Sequence, residues 1–338
     1  MDGVSVVVCC YNSEDRIGKV LEYLIDQDVD ASVNWEIIVV DNASTDNTAE
    51  LARSSWTRKD APLRVIFEPN PGLSNARNKG LKEAAYSVVS FIDDDNWVEK
   101  HWIQKVFNWF GANEKIGLLG AHGEAVIEGN IPFWFEEKQR SYAVGPQFIK
   151  TGIQNKALYG AGLSIRKKVW DELVINGFKF ILSGRKGKSL TSGEDSELCL
   201  AVLLAGYELF YDADLRFFHF MPKERMSWSY LIKLTKAFGR SDPVINIYQS
   251  SVNCYSGYDK KKRENRWLVA LYSIYLFIRS CPGYLGLLFS KKEGRSEVLI
   301  FHRTKSRMIE SFRLIPDFPK LVSTVKSGKW KSRKALDS

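Results

Sequence analysis

Short runs of β-branched and other apolar residues recur early in the chain: Val4 to Cys10, Glu36 to Val40, Leu63 to Phe67 and Val88 to Ile92. Each is too uniformly apolar for a strand with one wet face and too short for a helix. They predict strands buried on both faces of a parallel sheet. Between them lie mixed stretches with helix-start signals: Glu14 to Gln27 after Asn12-Ser13, Thr48 to Ser55, and Ser74 to Ala85 after Pro71-Gly72. The alternation predicts an α/β fold with a doubly wound, mainly parallel sheet flanked by helices, whose ligands bind at the carboxyl ends of the strands. Further on, a Trp-rich helix is expected from about Val98 to Asn113, a strand from Ile116 to Ala121, and irregular chain from His122 to Gln154. Tyr159 to Ile165 opens a second ordered block. In it, a helix starts at Gly193-Glu194-Asp195 and ends before Gly206, and strands follow at Glu208 to Tyr211 and Leu215 to Phe220.

The last apolar run, Trp267 to Ile278, is twelve nearly uncharged residues. As a helix it would reach about 18 Å, short of the roughly 30 Å of a bilayer core. Arg279 and Cys281-Pro282-Gly283 are expected to stop it there, which argues against a spanning helix. Lys260 to Arg263 precede it, and Lys291, Lys292 and Arg295 follow it. That pattern suits a helical appendage packed on the body, or a segment lying in the interface of an anionic membrane.

Composition sharpens this division. At 45% hydrophobic and 26% charged residues, the 338-residue chain can bury a core and is not a disordered polymer. Its net charge of +8 conceals an asymmetry: residues 1–259 hold 29 basic against 34 acidic residues, and residues 260–338 hold 19 against 6. A slightly acidic body therefore carries a basic tail, which calls for an anionic partner. The tail itself carries no recognisable chemical motif. Five cysteines without CxxC or zinc-type spacing point to reduced thiols in the cytoplasm. Met1-Asp2-Gly3 runs straight into the first strand, so no signal peptide is expected.

The most informative chemistry is Asp93-Asp94-Asp95, three adjacent carboxylates at the end of the fourth strand. In an extended chain the outer two point the same way, about 7 Å apart, and repel by roughly 2 kcal/mol at an effective dielectric near 20. A divalent cation would reverse that sign, and hard oxygen ligands select Mg²⁺ or Mn²⁺ over zinc. After the second strand, Asp41 in Val40-Asp-Asn-Ala-Ser-Thr-Asp46 opens on the same sheet edge and can accept hydrogen bonds from a base or ribose. Thr45 or Asp46 caps the following helix.

Together with Val4 to Asn12, Asn70-Pro-Gly-Leu-Ser-Asn-Ala-Arg-Asn78 and Gly193-Glu-Asp-Ser-Glu-Leu198, these segments form an ordered motif series that resembles the family 2 glycosyltransferases. The resemblance covers roughly residues 3–220. It implies an inverting, GT-A-fold enzyme with a DxD motif, which transfers a sugar from a nucleotide-sugar donor, most commonly UDP-linked. It also implies a donor half at 1–121 and an acceptor half at 122–225, leaving 226–338 as a basic, mostly helical region.

By the same resemblance Tyr11, Asn12, Asp41, Arg77, Asp93 and Asp94 face the nucleotide-sugar. Asp95 and Asp93, with His219 from Phe217-Phe-His-Phe-Met221, hold Mn²⁺ or Mg²⁺. Asp195 is the general base, and Glu194 lies beside the acceptor. Gly160-Ala161-Gly162 resembles the family's small-residue segment before the acceptor region. Trp97 and Trp134 are candidate sugar-stacking platforms for the acceptor. The acceptor class expected is a glycan or lipid-linked glycan of surface-polysaccharide synthesis, on the cytosolic face of a membrane contacted peripherally by the tail. A sugar-nucleotide pyrophosphorylase would need a glycine-rich loop after the first strand, where this chain has Tyr11-Asn12-Ser13-Glu14. A nucleic-acid-binding protein would leave the Asp93 to Asp95 cluster unexplained, so no nucleic acid is expected. An inactive partner subunit would lack the base or the DxD, and both are present.

Overall fold

The computed structural model describes residues 2–182, 192–252, 263–287 and 291–331. Lys260 to Lys262 of the basic cluster, and Cys254, lie outside the described residues. The first half alternates as its apolar runs require: β1 (Val4–Cys10), α1 (Ile17–Ile25), β2 (Trp35–Asp41), α2 (Thr48–Ser55), β3 (Leu63–Phe67), α3 (Leu73–Glu83) and β4 (Val88–Asp93). β1 lies between β2 and β4 and is parallel to both, and β3 extends the sheet beyond β2. β1, β2 and β4 are buried because helices cover both faces; β3 corrects the expectation, being an edge strand that is only half-buried, with Phe67 exposed. Val4, Val6 and Val8 point into one core with α1 and the following Trp102 helix, while Val7, Ile38 and Val40 point into the other. The register sets Cys9 opposite Asp93 and Cys10 opposite Asp41, so three strand ends and their acidic residues finish level on one edge.

The Trp-rich stretch divides. Asn96–Val98 is a short strand, β5, and the helix α4 begins only at Trp102 and runs to Ala112. β6 (Ile116–Ile127) is twice as long as expected and enters the segment read as irregular, which also holds α5 (Phe135–Lys138), a 3₁₀ turn at Gln139–Tyr142 and β7 (Gly152–Gln154). Then come β8 (Ser164–Arg166), α6 (Lys167–Ile175), α7 (Glu194–Leu204) and β9 (Glu208–Met221), the last a single continuous strand where two were expected. The sheet order is β3-β2-β1-β4-β8-β6-β9-β5, with β7 also on β9. β8 joins the two halves by antiparallel pairing to both β4 and β6, and β6 runs parallel to β9.

The C-terminal region adds α8 (Trp228–Ser251), α9 (Arg266–Leu285), α10 (Ser296–Arg313) and α11 (Phe318–Lys326). Ser227 caps α8 by accepting from the Tyr230 amide. α9 corrects an expectation: it passes straight through Cys281-Pro282-Gly283. Pro282, in the last turn, forgoes the bond its N–H would make to the Ile278 carbonyl, and the helix runs only three residues beyond it. Tyr284, stacked on Phe301 of α10 at 4.1 Å between ring centroids, holds that turn in place. At 20 residues α9 is by length and composition long and apolar enough to cross a membrane.

α7, which carries Glu194 and Asp195 in its first turn, is anchored one turn further on. The fully buried Glu197 carboxylate accepts from the Ile181 and Leu182 amides, both at 2.8 Å, and from Tyr248 Oη of α8 at 2.7 Å. Burial pushes its carboxyl up from 4.5 to about 7, against the pull of those three donors. Between these two pH values the folded chain keeps a proton that the unfolded chain releases, so stability falls as pH rises through the window, by about 3 kcal/mol in all. Glu197→Gln cannot titrate. Urea unfolding of the two proteins should therefore show wild type losing about 3 kcal/mol relative to the variant between pH 4.5 and 7.5; a difference that stays flat with pH contradicts this assignment.

Candidate active site

The level ends of β1, β2 and β4 open into a cleft of about 960 Å³. Cys9, Cys10, Tyr11, Asn42 and Asp93 to Asp95 form one side, and Gly160, Glu194, Asp195 and His219 the other. Leu276, Arg303, Thr304 and Arg307 of α9 and α10 also line it. The basic tail, which carries no motif, thus builds part of the cavity wall.

The three aspartates do not stay extended. β4 ends at Asp93 and β5 begins at Asn96, so the chain turns between them and the carboxylates splay. Asp93 faces Arg77 Nη2 at 3.5 Å. Asp94 accepts from Ser13 Oγ and from Arg16 Nη2, the latter at 3.0 Å. Asp95, nearly buried, accepts from Arg225 Nη1 at 2.8 Å and lies 3.6 Å from His219 Nε2. Burial raises the Asp93 carboxyl above its usual range against the opposing pull of Arg77, and burial with Asp95 nearby pushes Asp94 up to about 6.

Across the cleft α7 opens at Gly193, whose φ of +103° is a conformation that favours glycine. Glu194 is buried and bonded by Ser74 Oγ, while Asp195 is one-third exposed and grips Arg77 Nη1. Burial and the neighbouring Asp195 raise the Glu194 carboxyl. Burial alone would loosen the proton on Arg77; the carboxylates of Asp195, Asp93 and Glu194 outweigh it and hold the guanidinium firmly charged. Gly160 is needed for space, because a Cβ there would lie 2.0 Å from Asp195 Oδ2.

His219 donates from Nδ1 to the Tyr142 carbonyl at 3.0 Å, as the adjoining acceptor requires. That leaves the Nε2 lone pair facing Asp95, the way metal-binding histidines are usually held. Arg225 Nη1 stands 3.4 Å from Nε2 as well as on Asp95, so a cationic side chain already occupies the ground between carboxylate and imidazole. Asp95 oxygen and His219 nitrogen are donors that suit Mn²⁺ or Mg²⁺, but Asp93 is turned to Arg77, and among the described residues no three His, Cys, Asp or Glu side chains are grouped closely enough to hold a metal ion. At this end of the cleft the carboxylates of Asp93, Asp94, Asp95, Glu194 and Asp195 face the guanidiniums of Arg16, Arg77 and Arg225, while Arg140, Arg303, Arg307 and Asp242 line the rest, so the wall as a whole is close to charge-balanced.

Several expected residues stand elsewhere. Asn42, not Asp41, is on the cavity wall; Asp41 is buried and its Oδ1 accepts from the Ser44 amide. Asn12, at φ +49°, ties two loops together through Thr45 and Ser44 rather than reaching into the cleft. Trp97 is stacked between Tyr23 and Phe220, and buried Trp134 donates to Glu293 and packs on Trp228. Neither lines the cavity, so these two rings serve packing, and the aromatic wall is Tyr11, Tyr142, Tyr159, Tyr230 and Phe238. Sequence reasoning missed Arg16 and Arg225. The signal available for Arg225 was Pro222, which ends the His219 strand and turns the chain back toward the cleft.

Comparisons with known proteins agree with this geometry. The sequence profile described as "Glycosyl transferase family 2" matches residues 5–169. Glycosyltransferase GlyA of Streptococcus pneumoniae serotype 4 is 31% identical over 134 residues, 36% of this chain and 19% of that protein. The putative glycosyltransferase EpsH of Bacillus subtilis is 35% identical over 108 residues, 32% of this chain and 30% of that protein. The matches thus span less than a third of the length of either relative. Among solved structures, S. aureus TarS 1–349 aligns over 99% of this chain and 89% of that one, with a TM-score of 0.52 at 16% identity. The same protein in complex with UDP-GlcNAc gives the same coverage, a TM-score of 0.51 and 18% identity. At such identity the likeness concerns the fold, and it is the fold in which the DxD turn, the Glu194-Asp195 helix and the His219 strand meet. Residues 5–169, just under half of the chain, thus match the family 2 glycosyltransferases in sequence, and the chain as a whole shares a GT-A architecture.

Proposed function

We propose that the chain is an inverting glycosyltransferase that moves a sugar from a nucleotide-sugar, in the first instance a UDP-sugar, to a hydroxyl of a glycan or lipid-linked glycan of the cell surface. The observation that carries the reading is the convergence of Asp93, Asp95, His219 and Asp195 on one cleft, from elements far apart in sequence. The UDP-GlcNAc bound by TarS, a protein of the same fold, supports a UDP-sugar donor here.

Asp95 and His219, joined by Asp93 once it turns from Arg77, would hold a divalent cation. When bound, it would offset the charge that gathers on the departing nucleoside diphosphate. The chain's own residues account for the rest. Arg77 touches Asp195 and Asp93 from opposite amino groups and so fixes the span between the two sides of the cleft. Asp195, gripped by Arg77, takes the proton of the acceptor hydroxyl as its oxygen attacks the anomeric carbon. A single displacement from the side opposite the leaving group inverts that carbon. Gly160 leaves room for the carboxylate to face the acceptor. Glu194, tied to Ser74 and more deeply buried, positions the start of α7 rather than the proton.

Two outcomes follow. In thermal-shift assays UDP with Mn²⁺ should raise the wild-type melting temperature by about 5 °C at a hundredfold excess over Kd, GDP and dTDP should do less, and Asp95→Ala should lose the response to metal. Equal responses of the variant and wild type would overturn the donor site. Asp195→Asn should keep UDP binding and lose about 10² to 10⁴ in the rate of UDP release from UDP-GlcNAc with polysaccharide acceptors; full activity would remove Asp195 as the base.

A further inference from the structure

We infer that α9 is a docking surface for an anionic bilayer, which it meets lying flat, with the cleft behind it held close to the lipid. At 100° per residue, Trp267, Leu271, Tyr275, Ile278, Pro282 and Leu285 fall within about 80° of arc. All six are exposed; Leu271 and Ile278 leave 60% and 61% of their surface to solvent. So continuous an apolar stripe on a helix surface marks an interaction site rather than chance exposure. The opposite face, Val269, Ala270 and Ser273, is buried on α10.

The polar seam to α10 decides how the helix meets a membrane. Ser273 Oγ lies 2.9 Å from Ser311 Oγ and accepts from Arg307 Nε, and Ser280 Oγ lies 2.9 Å from Thr304 Oγ1. A helix crossing the bilayer would carry those groups, and the arginine, into hydrocarbon. A helix lying in the interface keeps them on the protein side and sinks only the stripe.

Charge selects the occupant. α9 contains no acidic residue. Exposed Arg279 flanks the stripe, and exposed Lys291 and Arg295 follow the helix, within a tail of 19 basic and 6 acidic residues. An anionic headgroup layer satisfies both apolar stripe and basic border, whereas a second copy of the chain would bring the same positive charge to the contact. Leu276, on the face of the same helix turned away from the stripe, lines the cleft, so docking holds the cavity within about one helix diameter, roughly 10 Å, of the lipid surface.

The test is co-sedimentation of the full chain with vesicles of phosphatidylcholine alone or with phosphatidylglycerol at 40 mole per cent, for wild type and for the double variant Leu271→Asp with Ile278→Asp. Wild type should pellet with the anionic vesicles, less in high salt and weakly with phosphatidylcholine alone. The variant should need about tenfold more lipid or worse while keeping the wild-type melting temperature and UDP–Mn²⁺ response. Equal binding by the variant, no preference for anionic vesicles, or a concentration-dependent dimer abolished by the variant would each overturn the proposal. The retained UDP response separates this result from failure of the donor site.

Discussion

Five carboxylates converging on one end of a cleft are the constraint around which this half of the molecule is organised. Each would be costly to bury alone, and the fold answers with three arginines drawn from three places: Arg16 from the approach to α1, Arg77 from α3 and Arg225 from the turn after β9. These pairings give the cleft its shape. Arg77 links the β4 end to the α7 start, and Arg225 draws the far end of β9 onto the Asp93 to Asp95 turn. Asp94, held by Ser13 and Arg16, fixes that turn against the loop after β1. A site so balanced favours a ligand that brings its own charges of both signs, as a nucleoside diphosphate with a divalent cation does.

Much of the scaffold was legible because it obeys simple patterns. The three strands that end level at the cleft are largely apolar and buried, and α2 spans the predicted residues Thr48–Ser55. The gathering of DxD turn, Glu194-Asp195 helix and His219 strand around one cavity also follows from the order of motifs. Other features depend on tertiary contacts that local pattern does not encode. β9 continues through Asp212 to Asp214 because its neighbours β6, β7 and β5 pair along it. α9 continues through Pro282 because Tyr284 has Phe301 to stack on. Trp97 and Trp134 looked like sugar platforms by residue type and by nearness to motifs, but large rings are claimed first by whatever apolar surface adjoins them.

The tail changes most between sequence and structure. Its charge says only that something anionic is near. Its helices place Arg303 and Arg307 on the cavity wall, with Arg303 held by Asp242 of α8 through paired bonds of 2.8 and 3.0 Å. The same region therefore completes the cavity on one face and presents an apolar stripe on another. Specificity for the acceptor and placement of the protein would then be coupled through one pair of helices, α9 and α10.

The central claim is that Asp95 and His219 form the cation-holding corner of a nucleotide-sugar site that Arg225 occupies in the free protein. Crystals of the protein grown with UDP and Mn²⁺, measured for manganese anomalous scattering, test it directly. The account predicts one strong anomalous peak within bonding distance of Asp95 and His219 Nε2, beside the UDP diphosphate, with Arg225 moved off Asp95. UDP bound with no manganese at that corner, or with Arg225 still bridging Asp95 and His219, would contradict it.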